Sequence, residues 1–220
     1  MDANMHPYYF GLKAVSCTLI ITTAMGIELL PSDIRGNYEI YEWKHACAIL
    51  HSDYPDEWTD ITELMRSFRL LKSQIAIQGG RKSLVSGTID GFLYQRGWRE
   101  KGFETSVKVD QITKDSPTHK IDCYKNEIAI EIEWNNKDPF FDRDLNNFRL
   151  LFDLRVISVG IIITRCDHLQ DIFDKLGRGK SYGASTTHIG KLLPRIIGGG
   201  GGGCPLLVFG ISKNLYHEDC

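Results

Sequence analysis

The stretch Ile121–Trp134, reading IDCYKNEIAIEIEW, constrains this chain more than any other. From Glu127 to Trp134 apolar and other residues alternate with period two. Ile128, Ile130, Ile132 and Trp134 fall on one face, and Glu127, Ala129, Glu131 and Glu133 on the other. The run is rich in isoleucine, which favours a strand over a helix. On a strand Glu131 and Glu133 stand about 6–7 Å apart on one side. A turn at Tyr124–Asn126 brings Asp122 back toward them, with the small Ala129 alongside. Three converging carboxylates repel one another unless a cation neutralises them, and hard oxygen ligands suit Mg²⁺ or Mn²⁺. The competing reading of the same pattern is a solvated acidic face on a half-exposed sheet. Glu127 shares the face but lies about 13 Å from Glu131 along the strand, outside any common site.

The 220 residues are enough for one substantial core. With 26 basic and 28 acidic residues the formal charge is −2, which argues against wholesale coating of nucleic acid yet permits a local basic cleft. The six cysteines include no CxxC pair, so a zinc site is not expected. Their scatter suits reduced thiols in the cytoplasm. Ala14–Leu30 is the most apolar stretch, but Ser16, Thr18, Thr22, Thr23 and Glu28 interrupt it and it is short for a membrane span. A buried N-terminal element, or an extension outside the main fold, is the expectation.

Along the chain, Tyr38–Leu50 reads as a helix, and His45 and His51 within it have no metal-ligand partner at useful spacing. Asp56–Leu71 reads as a second helix with Trp58, Ile61, Leu64, Met65 and Phe68 in an apolar stripe. Gln78–Ser83, QGGRKS, is a basic glycine loop without Walker spacing. Leu84–Trp98 is a third helix ending near Gly97, and Phe103–Ile112 a strand. After Trp134, NNKDPFF reads as a loop, and Asp144–Leu154 as a helix with Leu145, Phe148, Leu151 and Phe152 inward. Val156–Thr164 is nearly continuous apolar sequence, as in a central strand buried on both faces. Asp167–Leu176 and Lys191–Ile197 follow as helices around the polar loop Arg178–Thr187. The six glycines Gly198–Gly203 read as a loop tip or linker, and Pro205–Ile211 as a final strand. The interleaving predicts an α/β core with mixed strand order.

The order and spacing of these pieces resemble type II restriction endonucleases of the BglII/BstYI type, with BamHI a more distant relative. The pieces are the aromatic run at Tyr38–Leu50, PDEW at 55–58, GGRKS at 79–83, RGW at 96–98, IDCYKNEIAIEIEWNNKDPFF at 121–141, the ISVGIII strand and CPLLVFGI. The resemblance spans about Tyr38 to Ile211. It divides the chain into an N-terminal extension, 1–37, and one endonuclease domain, 38–220. It implies a restriction-endonuclease-like (PD-(D/E)xK) α/β fold, a mixed β-sheet flanked by helices. It implies Asp122 and Glu131 as metal ligands, with the Ile132 main-chain carbonyl a further candidate. Glu133 stands at the third position, which is lysine in most of the superfamily, glutamine in the BglII branch and glutamate in BamHI. Its expected role is general base, or the acceptor that orients water.

The activity implied is Mg²⁺-dependent hydrolysis of double-stranded DNA at a short palindrome, leaving 5′-phosphates, with Mn²⁺ able to substitute. The resemblance also implies a homodimer, as two-fold readout of a palindrome suits, and a functional pairing with a cognate DNA methyltransferase. Arg81 and Lys82 are the candidates for phosphate contact. Asn135 and Asn136, directly after the acidic strand, are candidates for base readout. So are Ser181, Thr186 and Thr187, flanked by Arg178 and Lys180, although these hydroxyls equally suit caps and turns. Two alternatives stay open from sequence alone: a DNA-binding protein of the same fold without catalysis, and a repair or structure-specific nuclease.

Overall fold

The computed structural model describes residues 26–77, 83–115 and 118–219. The Arg81 and Lys82 candidates, and most of the apolar N-terminal stretch, lie outside them. In chain order the elements are α1 (Ser32–Asn37), β1 (Tyr38–Trp43), α2 (Ala46–Asp53), α3 (Pro55–Ser67), β2 (Leu70–Leu71), α4 (Lys72–Ala76), α5 (Leu84–Tyr94), β3 (Arg99–Lys101), β4 (Ser106–Val109), β5 (Ile112–Asp115), β6 (Ile121–Lys125) and β7 (Ile128–Ile132). They continue with α6 (Phe140–Asp153), β8 (Val159–Arg165), α7 (Gln170–Lys175), α8 (Ile189–Ile197), β9 (Leu206–Ile211) and β10 (Tyr216–His217).

Six strands form one mixed sheet in the order β1-β9-β8-β7-β6-β3. β7, β8 and β9 run parallel at its centre, while β1, β6 and β3 pair antiparallel outside them. Every residue of β7, β8 and β9 is buried, as continuous apolar runs in parallel strands require. One face, with Ile128, Ile130, Ile132, Ile161, Ile163 and Phe209, packs on α1–α5 and α7. The other, with Ala129, Ile162, Leu206 and Val208, packs on α6 and α8. The result is a helix–sheet–helix sandwich, the mixed α/β arrangement the alternating sequence predicts. Leu30 and Ile34, near the start of the described residues, are buried in the first of these cores.

Gly160 lets α6 sit close to the sheet. A Cβ there would lie 2.6 Å from the Phe148 ring and 2.9 Å from Leu206, closer than packed atoms tolerate. The glycine run is a packed turn rather than a linker. Gly199 and Gly202 have φ of 89° and 57°, and a Cβ on Gly201 would meet Leu206 at 2.6 Å.

Three sequence expectations need correction. Tyr38–Leu50 is a strand followed by a helix, because Lys44 and His45 adopt positive φ (55° and 60°) and break the chain between them. β1 then completes its hydrogen bonds on β9, Tyr38 opposite Ile211. Phe103–Ile112 is not one strand: β4 and β5 form a separate hairpin turning at Asp110, φ 53°. Helix α6 begins at Phe140, inside the stretch read as a loop.

Candidate active site

β6 and β7 form a hairpin whose turn is Asn126–Glu127, both with positive φ (42° and 64°). Asparagine tolerates that conformation through its short polar side chain. The pairing of Cys123 with Ile130 and Tyr124 with Ala129 carries Asp122 to the level of Glu131. Asp122 Oδ2 accepts the Ile132 backbone N–H at 2.9 Å, which fixes it at the end of the hairpin. Glu127 sits at the opposite end, bonded to Tyr54 and Ser158, so it is remote from the other acids as the strand spacing predicts.

Glu133 lies one residue past β7. Its N–H donates to the Ile163 carbonyl at 2.9 Å, and its own carbonyl accepts the hydroxyls of Thr164 (2.9 Å) and Thr187 (3.1 Å). The backbone that carries the third carboxylate is thus pinned from two sides. Its side chain is fixed as well: Asn136 Nδ2 donates to Oε2 at 2.9 Å, and Arg143 lies 3.5 Å from Oε1.

The site also contains residues that the strand pattern does not mark. Asp144, on α6, is fully buried. It accepts Arg143 at 2.8 Å and stands 3.2 Å from His119 Nε2. His119 Nε2 is also 2.9 Å from Glu131 Oε1. The signal for Asp144 lay in the helix: with Phe141 three positions before it and Phe148 four after, it falls on the face turned to the sheet. His119 carried no such signal, since it lies in the connection before β6 and meets Glu131 only through the tertiary fold.

Electrostatically the site is short of positive charge. Burial pushes the Glu131 carboxyl well above its ordinary range; the His119 hydrogen bond pulls it back, and the charges of Asp144 and Asp122 raise it further. Burial raises Glu133 too, with Asp144 adding by charge and contact, while Asn136 opposes. Burial alone would lower His119, but hydrogen bonds to Asp144 and Glu131 prevail and lift it to about 9. Among the described residues no N–H group donates to Asp144 Oδ2, and the Glu133 carboxyl lies against Asp144. Buried carboxylates held against one another, one oxygen without an N–H donor, with hard oxygen donors and an imidazole close by, fit a divalent cation. Glu131, Asp144 and His119 offer ligand atoms all within 4.8 Å of one another. The Ile132 carbonyl accepts the Trp134 N–H at 3.2 Å.

These shifts set a pH dependence. His119 and both glutamates have folded pKa values above their unfolded ones, so the native state holds more protons from roughly pH 4.5 to 9. Stability gained through His119 is complete below pH 6.5 and lost as pH rises toward 9, while the cost of the glutamates grows from about pH 4.5, where they ionise in the unfolded chain before the folded one. In EDTA the melting temperature therefore falls between about pH 5 and 9. A flat or rising profile would contradict this electrostatic account.

The two stretches expected to meet bases are joined to each other. Asn136 accepts the Thr187 N–H at 2.9 Å through its carbonyl, and its own N–H donates to the Thr187 hydroxyl at 3.2 Å. Lys137 bridges to Thr186. Thr187 is fully buried, and the Thr186 hydroxyl bonds to Arg165 and the Gly183 carbonyl. Asn135 adopts φ 61°, with its Oδ1 buried and without a donor among the described residues. Lys180 and Ser181 are exposed, whereas Arg178 donates to the Ile77 carbonyl at 3.1 Å.

A mixed sheet flanked by helices, delivering acidic side chains to one end of its central strands, defines a protein of the restriction-endonuclease-like fold with a metal-competent acidic centre. The family model for restriction endonuclease BglII/BglIII matches residues 38–211, and the chain belongs to that family. It is a type II restriction endonuclease, a site-specific deoxyribonuclease acting on double-stranded DNA. Enzymes of this type generally depend on a divalent metal. No curated protein matches the chain. No helix among the described residues is long and apolar enough to cross a membrane.

Proposed function

We propose that Asp122, Glu131 and Glu133 are the catalytic residues of a Mg²⁺-dependent endonuclease that cuts both strands of a short palindrome and leaves 5′-phosphates. The observation that carries this reading is the gathering of the three at one end of β6 and β7, with Glu131 and Glu133 each only 1 % exposed. Asp122 and Glu131, with the Ile132 carbonyl, would hold the ion, and Mn²⁺ would substitute. Bound there, a divalent ion supplies Lewis-acid stabilisation of the phosphate oxygens and makes water more acidic. Glu133 accepts a proton from the attacking water or orients it. Burial and the neighbouring acids raise its pKa, so it serves as a base only once a bound cation offsets them; Asn136 and Arg143 hold its two oxygens in place.

Asn135 and Asn136 are assigned to base readout, with the exposed Lys180 and Ser181 of the adjoining loop, and with Arg178, Thr186 and Thr187 shaping that loop. Arg81 and Lys82 are assigned to backbone phosphates. A homodimer acting in the cytoplasm, paired functionally with a methyltransferase that protects the host's sites, completes the proposal; cutting both strands of a palindrome needs one centre per strand. The domain that carries the centre is placed at 38–220, and residues 26–37 pack on it through Leu30 and Ile34.

Incubation of a plasmid with the protein and Mg²⁺ tests the reading: discrete fragments support it, and a smear or a requirement for damaged DNA counts against it. Asn136→Ala should relax sequence preference and also slow cleavage, because the same side chain supports Glu133. A variant with an unchanged fragment pattern and rate would refute both roles.

A further inference from the structure

The proposed ligands Asp122, Glu131 and the Ile132 carbonyl leave His119 and Asp144 without a part in the reaction, although both touch or adjoin Glu131. The imidazole Nε2 stands 2.9 Å from Glu131 Oε1 and 3.2 Å from Asp144 Oδ1. Neighbouring donors around an octahedral ion with bonds of about 2.1 Å lie about 3 Å apart, so both separations match edges of such an octahedron. Independently, Asp144 is fully buried, and among the described residues no N–H group donates to its Oδ2. A buried carboxylate in that condition is stabilised by a further cation, in place of a proton shared with the adjoining Glu133. Arg143 occupies only Oδ1, through two nitrogens at 2.8 and 3.0 Å. The imidazole is held near the acids from behind as well: Asn147, also on α6, donates to the His119 carbonyl at 3.4 Å.

The donor set bears on which ion fits. Carboxylates and carbonyls serve Mg²⁺, whereas an imidazole nitrogen favours first-row transition ions, which gain more from nitrogen ligation. We propose that His119 and Asp144 complete the coordination of the ion at Glu131, so that the centre binds Mn²⁺ through a nitrogen ligand and in preference to Mg²⁺. This rests on the reading of Glu131 as a metal ligand and adds two residues and an ion preference to it.

The test is Mn²⁺ binding to the whole protein without DNA, followed by calorimetry and by pulsed electron paramagnetic resonance. Bound Mn²⁺ is expected to show ¹⁴N coupling from an imidazole. In His119→Gln that coupling should vanish, with Mn²⁺ affinity down roughly tenfold and Mg²⁺ affinity little changed. In Asp144→Asn the affinity for both ions should fall while the nitrogen signal remains. Wild-type Mn²⁺ bound without nitrogen coupling would overturn the proposal, as would a His119→Gln variant that keeps the Mn²⁺ preference. Glu131→Gln separates the two levels. If it abolishes ion binding while the wild-type spectrum lacks nitrogen, only the part given to His119 fails. If it binds Mn²⁺ as the wild type does, the assignment of Glu131 fails with it.

Discussion

Glu131→Gln is expected to lower DNA cleavage in Mg²⁺ by roughly 10³-fold or more, about 4 kcal/mol of transition-state stabilisation. The substitution keeps the shape of the side chain, so the loss reports charge. Glu131 is buried beside Asp122, Asp144 and His119, where a carboxylate interacts far more strongly with an ion than it would in water. A neutral amide removes that attraction and also relieves the repulsion that raises the neighbouring acids. The variant should therefore fold at least as well as the wild type in EDTA while losing turnover. Single-turnover cleavage alongside thermal melting separates the two effects. Near-normal turnover in a folded variant would remove Glu131 from the mechanism.

The second large effect concerns the scaffold. Gly160→Val is expected to destabilise the protein by about 3 kcal/mol, the upper end of the usual cost of overpacking, and to lower Tm by roughly 6–12 °C. The Cβ alone would stand 2.6 Å from the Phe148 ring and 2.9 Å from Leu206. β8 is central, so the strand cannot move away without disturbing β7 and β9. Instead α6 must lift, and α6 carries Arg143 and Asp144. The variant should consequently lose activity even at temperatures where it remains folded. An unchanged Tm in differential scanning calorimetry would show that α6 packs less tightly than the structure describes.

Much of the centre was legible in sequence because its parts are local. Asp122, Glu131 and Glu133 come from one hairpin, and period two is enough to place the glutamates on one side. The apolar run Val156–Thr164 was legible for the same reason, since a central parallel strand needs apolar residues on both faces, and the strand observed is Val159–Arg165. What escaped was set by contacts between distant segments. Tyr38–Trp43 has the composition of either element, and becomes a strand because β9 offers it a ladder. Asp144 and His119 come from different segments and meet only when α6 is laid over the sheet. Thr187 looked like a polar loop residue, yet it is buried because its hydroxyl satisfies the Glu133 carbonyl. The glycine run has no side chains to read, and its packing against Leu206 follows from the path of the chain between α8 and β9.

The central claim is that the carboxylates at the end of β6 and β7 form the centre of a sequence-specific nuclease. The most direct measurement is a plasmid digest in Mg²⁺ by wild type and by Asp122→Asn, with the fragment ends sequenced and duplex binding measured in parallel. The account predicts discrete wild-type fragments whose 5′-phosphorylated ends share one palindrome. It predicts no cleavage by Asp122→Asn, which still binds the same duplex. Cleavage by Asp122→Asn at the wild-type rate, or wild-type ends without a common sequence, would contradict it.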